Sequence, residues 1–281
     1  MTLPDRVVVE WVNRSLPGIR RWDPIGGATT ADLWKVSNDD GRWVVKVFAS
    51  SGFVAEYPDC VDHAVAAMQF VRTHSDLQVP EVVDADPTGD LAGSPAILMT
   101  SLGGVPLEAP SRRVFDRIID VADQVHSLPT AGFGWRHHRY NDPSDTFTPD
   151  WFGDSGLFGE LAARSAAAVS DGVFIHRDFH PGNLLFDGDL VVGTVDWDYA
   201  CIGPSGEDFG RTWLNLAADY GRRIGSVFAS RAARRLDPAW AAAAWIDWLP
   251  FYEGGESVQG WGTPEERRGF ESVGRWTVDL G

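Results

Sequence analysis

Three carboxylates and one carboxamide flank a hairpin in a single stretch of this chain. Residues 173–200 read Val-Phe-Ile-His-Arg-Asp-Phe-His-Pro-Gly-Asn-Leu-Leu-Phe, then Asp-Gly-Asp, then Leu-Val-Val-Gly-Thr-Val-Asp-Trp-Asp-Tyr-Ala. Asp178 and Asn183 lie in a polar loop ahead of two short apolar runs, 183–186 and 190–195; Asp196 and Asp198 follow the second run. The Asp187-Gly188-Asp189 between the runs is a hairpin signal, because Asp-Gly supplies the positive φ angles of a tight turn. Folding that hairpin brings the four polar side chains to one end of a small sheet. Oxygen donors with few basic neighbours suit a hard cation such as Mg2+. Singly, each of these residues is ordinary loop chemistry, since Asp, Asn and Gly populate turns for conformational reasons. The argument rests on the whole set at this spacing.

Upstream, one lysine occupies an unusual place. Residues 33–37 and 43–48 form a predicted hairpin across Asn38-Asp39-Asp40-Gly41, and Lys46 falls inside the apolar run Trp43-Val44-Val45-Lys46-Val47-Phe48. A lysine in a strand centre is costly to bury unless it meets an anion. The plainer alternative is an edge-strand lysine pointing to water. Before it, Ile25-Gly26-Gly27-Ala28-Thr29-Thr30 could let backbone amides face a phosphate, although it lacks the Lys-Ser/Thr of a P-loop and Gly-Gly also marks plain turns.

His176-Arg177-Asp178-Phe179-His180-Pro181-Gly182-Asn183 and Val195-Asp196-Trp197-Asp198 resemble the catalytic and metal-binding segments of the aminoglycoside-phosphotransferase and choline-kinase family of small-molecule kinases. Arg177 stands where that family more often has glycine. The resemblance implies that Asp178 orients and deprotonates an acceptor hydroxyl, Asn183 and Asp196 hold Mg2+, and Asp198 positions magnesium or substrate. It implies that Lys46 reaches the α- and β-phosphates of ATP, with Gly26 and Gly27 over the phosphates and backbone groups of Met99, Thr100 and Ser101 on the adenine. GTP stays open as donor. The family's helix after the lysine strand carries a glutamate that pairs with that lysine. Here the register puts Ala64 or His63 at that position, with Glu56 and Asp62 as substitutes.

The net charge of −16 and pI near 4.7 argue against nucleic acid and anionic membranes as partners and suit a cationic small molecule. Nothing in the sequence calls for a protein partner. No apolar run approaches a membrane span, and the N-terminus lacks a signal-peptide pattern. The two cysteines, Cys60 and Cys201, make no disulfide framework or metal pair. Cytoplasmic residence is the consistent expectation.

Helical spacing predicts helices over 7–16, 62–73, 111–128 (capped by Ser111) and about 157–168. The first is closed by Pro17-Gly18. Strands are expected near 79–84 and 95–100, and the Gly-Pro-bearing 101–106 reads as a hinge. His126 reads as a surface or capping residue and Arg136-His137-His138-Arg139 as a solvated loop. His176 is expected to brace its loop, and Asp208 to brace a helix against it. The tail 237–281 holds eight acidic against three basic residues and five of the thirteen tryptophans. Aromatic faces beside carboxylates can receive organic cations, so Asp247, Glu253 and Glu256 are substrate candidates; the alternative for Trp240, Trp245 and Trp248 is helix core.

The expected fold is α+β and protein-kinase-like: an N-terminal lobe, 1–102, of small antiparallel sheet and one helix, and a mainly helical C-terminal lobe, 103–281, with ATP in the cleft between them. The expected activity is ATP- and Mg2+-dependent O-phosphorylation of a small cationic molecule, an aminoglycoside or basic peptide antibiotic first, which would make the chain a resistance factor. Choline, an amino sugar or another metabolite is the alternative acceptor. Two readings of other classes are a non-catalytic nucleotide-binding module and a metal-dependent hydrolase using the aspartates with His176 and His180.

Overall fold

A computed structural model describes residues 4–26, 30–139, 152–247 and 264–280. Gly27, Glu253, Glu256, Trp248 and Trp261 lie outside the described residues. The chain forms two compact units: residues 1–103 with 193–199, and residues 104–192 with 200–281.

The first unit is built on a five-stranded antiparallel sheet of order β1-β2-β3-β5-β4. Its strands are β1 (Arg21–Ile25), β2 (Asp32–Ser37), β3 (Arg42–Val47), β4 (Val82–Asp86) and β5 (Ala96–Thr100). Pro24 sits in edge strand β1, where a missing N–H removes no bond from an inner ladder. The β2–β3 turn is closed by Asn38, whose Oδ1 accepts the N–H groups of Asp40 (2.8 Å) and Gly41 (3.1 Å), a turn chemistry that asparagine suits. Period-2 alternation sends Val45 and Val47 into a core with Val8, Trp11 and Val12 of α1 (Arg6–Ser15), and sends Lys46 to the other face. Lys46 is thus on the middle strand of the sheet and 5% exposed, which removes the edge-strand alternative.

Helix α2 (Ser51–Glu56) was not legible in the sequence; it is one short turn-and-a-half capped by Ser50, whose Oγ accepts the Phe53 N–H. Helix α3 (Cys60–His74) buries Cys60, Val61, Ala64, Ala67, Met68 and Val71. Val65 of the same helix is only half-buried.

The second unit is mainly helical: α4 (Arg112–His126), α5 (Ser155–Ala166), α6 (Ser205–Tyr220), α7 (Arg222–Arg231), α8 (Pro238–Asp247) and α9 (Pro264–Val278). Ser111 caps α4 as expected, accepting the Val114 N–H at 3.2 Å. Between α5 and α6 run short strands: β6 (Val173–Ile175) pairs with β9 (Cys201–Gly203), and β7 (Leu184–Asp187) with β8 (Leu190–Thr194). Gly188, at φ 57°, makes the tight β7–β8 turn.

The tryptophans of α8 belong to the core. Trp240 is 4% and Trp245 0% exposed, and the Trp245 ring stacks on Phe270 of α9 with centroids 4.3 Å apart. The helix-core reading holds for both; a helix apolar on every side is a buried helix. Asp247 at the end of α8 is likewise buried, at 2% exposure, so this substrate candidate sits in the core. Among the described residues, no helix is long and apolar enough to cross a membrane.

Helices α6 and α8 touch at glycines. A Cβ on Gly210 would lie 2.6 Å from the Trp240 carbonyl oxygen, and one on Gly206 would meet the Trp240 ring at 2.4 Å. Backbone cannot yield as a side-chain tip does. Gly210→Ala is therefore expected to lower stability by about 1–3 kcal/mol, the usual cost of overpacking, read from the midpoint of urea unfolding.

Candidate active site

The second unit holds the loop that follows β6. Arg177 has φ 70°, the left-handed region, which costs a non-glycine residue about 1–2 kcal/mol. This is the position where the resembled family more often carries glycine. Two bonds hold it: the Arg177 N–H donates to Asp208 Oδ1 (2.7 Å), and its guanidinium Nη2 donates to the His138 carbonyl (2.6 Å). Asp208, fully buried in the first turn of α6, also accepts the His176 N–H (3.1 Å) and pairs with His126 Nε2 (2.9 Å). Thr212, one turn on, donates to the Phe179 carbonyl at 2.8 Å. Helix α6 thus dictates the backbone path of 176–179, as expected for Asp208. Two sequence expectations fail here. His126 is a part-buried brace on Asp208 rather than a surface or capping histidine. Within the tract 136–139, Arg136 and His138 are exposed, but His137 Nε2 lies 2.9 Å from buried Glu207 Oε2, and Arg139 Nη1 donates to the Ser165 carbonyl (2.9 Å).

Held this way, the loop presents Asp178. Asn183 Nδ2 donates both to the Asp178 carbonyl (2.9 Å) and to its Oδ2 (3.1 Å). His180 Nδ1 accepts the Gly182 N–H at 3.1 Å, which leaves the ring proton on Nε2, 3.5 Å from Asp178 Oδ2. Arg211 Nε of α6 stands 3.9 Å from Asp178 Oδ1. Burial pushes the Asp178 carboxyl up; the opposing pull of His180, Arg211 and His176 wins and holds it well below the ordinary carboxylate range. The carboxylate keeps 29% side-chain exposure, so it is ionised and accessible. Farther along α6, burial raises the Asp219 carboxyl and His180 opposes it. Sequence reasoning placed His180 near the site without a role, and missed Arg211 beside Asp178 and Asp219 near His180. The i, i+4, i+8 spacing of Arg211, Asn215 and Asp219 was the available signal.

The first unit carries the lysine cluster. Lys46 Nζ donates to Asp196 Oδ1 (2.6 Å) and Asp198 Oδ2 (2.5 Å). Burial would lower the lysine's pKa; the two carboxylates outweigh it and raise it above the ordinary value. Glu56 and Asp62, the expected substitutes for a helix glutamate, are exposed, and the acids on Lys46 are Asp196 and Asp198 instead. Asp198, expected to position magnesium or substrate, is spent on the lysine. Segment 193–199 is fastened by the Thr194 N–H to the Gln78 carbonyl (2.9 Å) and by buried Trp197, whose Nε1 donates to the Thr194 carbonyl (3.1 Å). Asp196 has φ 65°, a left-handed conformation that aspartate tolerates better than most residues.

The remaining nucleotide candidates are placed as follows. Gly26 is exposed after β1. Met99 and Thr100 are in β5, and the N–H groups of Thr100 and Ser101 already donate to the carbonyls of Glu81 (2.8 Å) and Arg42 (3.1 Å). A nucleobase read by either amide would have to displace a sheet bond. No group of three His, Cys, Asp or Glu among the described residues could hold a metal. Asn183 in the second unit and Asp196 in the first each carry an oxygen of the kind that Mg2+ takes, one or two from protein and the rest from water and phosphate. The amide N–H of Asn183 is committed to Asp178, which leaves its oxygen as the donor atom, and the Asp196 carboxylate is 41% exposed.

The family model described as "Phosphotransferase enzyme family" matches residues 21–246. The chain belongs to this family. Among curated relatives, a homoserine kinase of Azorhizobium caulinodans is 29% identical over 58% of this chain and 57% of its own length. The chain thus spans a little over half the length of that relative. Among solved structures, a thermostable mutant of aminoglycoside phosphotransferase APH(4)-Ia, in ternary complex with AMP-PNP and hygromycin B, superposes with a TM-score of 0.68 at 14% identity, covering 99% of each chain. The GDP and kanamycin complex of APH(2")-IIia gives 0.67 at 14% identity, covering 96% of this chain and 98% of that one. These likenesses establish the fold as the two-lobed, kinase-like α+β fold.

Two predictions follow from this geometry. Asp208→Asn replaces one acceptor oxygen of the brace with a donor and is expected to cost about 2–3 kcal/mol, as for a buried hydrogen bond to a charged group, measured by thermal unfolding. Burial pushes the Cys60 thiol up to about 11 and the Cys201 thiol up to about 12. Because the thiolate is the reactive form, both should resist a thiol reagent at pH 8 in the native protein and both should react in denaturant.

Proposed function

We propose that this chain transfers the terminal phosphoryl group of Mg-ATP to a hydroxyl of a small, amine-bearing molecule. The observation that carries the reading is Asp178: an ionised, partly exposed carboxylate on a strained loop, with Asn183 on its backbone and side chain. Such a carboxylate accepts the hydroxyl's hydrogen bond, aims the oxygen at phosphorus and receives the proton as the new bond forms. Its depressed pKa makes it a weak base, so most of its effect is orientation; a largely dissociative phosphoryl transfer asks little more of it. Lys46 supplies the cation for the nucleotide phosphates. Asn183 and Asp196 supply oxygen donors for magnesium, which neutralises negative charge on the transferred group.

Two observations support an amine-bearing acceptor. The net charge is −16, and Asp219 places a second carboxylate near His180, beside Asp178. The homoserine kinase relatives favour a small amino-alcohol metabolite. The aminoglycoside phosphotransferase neighbours keep an antibiotic acceptor, and with it a resistance role, as the second reading. Both acceptors join a hydroxyl to an ammonium group, and the donor base is tested alongside.

The test is release of ADP or GDP from Mg-ATP or Mg-GTP with homoserine, choline, amino sugars, aminoglycosides and basic peptide antibiotics. We expect turnover with one acceptor class, and a kcat lower by about 10²–10⁴ in Asp178→Ala, the range for losing a general acid–base group. Nucleotide turnover that Asp178→Ala leaves unchanged, or no binding of Mg-nucleotide at all, would overturn the reading.

A further inference from the structure

Lys46 meets two carboxylates that are not equivalent. The Asp196 side chain is 41% exposed; that of Asp198 is 4% exposed. Asp198 lies between buried Trp197 and half-buried Tyr199, whose ring packs edge-on against Phe53 and Tyr57, each at 6.1 Å. At 4% exposure the Asp198 carboxylate is shielded from water, whereas that of Asp196 is not. Helix α3 turns its own N-terminal residues to this cluster: the Cys60 thiol is close enough to feel both Asp198 and Lys46. Asp62, the acid of the helix's first turn, is exposed, and among the described residues the carboxylates on Lys46 are those of Asp196 and Asp198.

A buried ammonium needs an anion in every state the protein visits. Asp196 cannot give its charge fully to a magnesium ion and to Lys46 at once. We propose that Asp198 is the dedicated positioning partner of Lys46, taking on segment 193–199 the task of a helix carboxylate, so that the lysine stays aimed at the nucleotide phosphates when Asp196 turns to magnesium. This rests on the phosphotransferase reading and adds to it a division of labour between the two aspartates.

The test is a double-mutant cycle on nucleotide affinity, with ATP and adenosine as ligands, across wild type, Asp198→Asn, Lys46→Met and the double variant. Asp198→Asn is expected to weaken ATP about tenfold or more and to leave adenosine within about twofold, because the lost contact is to phosphate. In the Lys46→Met background the second substitution should change ATP affinity by less than about twofold, a strong non-additivity. If Asp198→Asn fails to fold, the double variant lacks the stranded charge, and its comparison with Lys46→Met still decides: equal ATP affinities support the proposal, a further loss overturns it. Additive effects, or equal losses for ATP and adenosine, also overturn it while leaving the phosphotransferase reading intact. A wild type that binds no Mg-ATP sinks that reading, and the proposal with it.

Discussion

A charged ammonium on the middle strand of a sheet is a constraint that the rest of the first unit must answer. Lys46 is there because β3 alternates: its neighbours Val45 and Val47 feed the core under α1, so residue 46 has to face the other way. The lysine is held ionised by carboxylates that come from about 150 residues later in the chain. Segment 193–199 therefore folds with a unit to which most of its sequence neighbours do not belong. The ion pair is expensive to desolvate, and such pairs are weak evidence for stability. Under the proposed function, that cost is explained by what the lysine would offer a phosphate rather than by what it does for the fold.

The second unit solves a different problem by similar means. Asp178 must point outward from a loop whose backbone runs through a left-handed arginine. Strain of that kind persists only where the surroundings over-determine it. Here one buried carboxylate, Asp208, takes two consecutive backbone N–H groups and a histidine, and a guanidinium reaches across to the His138 carbonyl. Glu207 beside it pairs with His137; burial raises its carboxyl, and His137, Arg177 and Arg211 more than reverse that. The helix α6 that carries these acids is itself seated on α8 through glycines with no room for a methyl. Precision at Asp178 thus reaches back to the packing of Gly206 and Gly210 on Trp240.

The acidity of the chain acquires a local meaning in this arrangement. Many carboxylates are tied into exposed ion pairs, such as Arg235 with Asp123 and Arg222 with Asp279, where each contributes little. The informative acids are the buried or half-buried Asp178, Asp198 and Asp208, with the exposed Asp196 and Asp219 beside the two clusters. They divide into acids that hold the protein's own groups and acids with an oxygen left for a ligand. That division, more than net charge, is what the proposed acceptor chemistry depends on.

The sequence by itself determined the local matters. Periodicity places α1, α3 and α4, the Asn38 turn and the Asp-Gly turn make the two hairpins, and the His176–Asn183 and Val195–Asp198 segments carry the family. These signals are short-range, because caps, turns and alternation act over a few residues. Only the tertiary structure decided which acids serve which partners. Nothing near Lys46 in the chain points to Asp198; nothing near His126 points to Asp208; and Trp240 and Trp245, which singly read as helix core, find their partners only when α6 and α9 close on them. Such pairings depend on which distant elements are brought together, and burial then selects, among many carboxylates and rings of the same type, the few whose desolvation must be compensated.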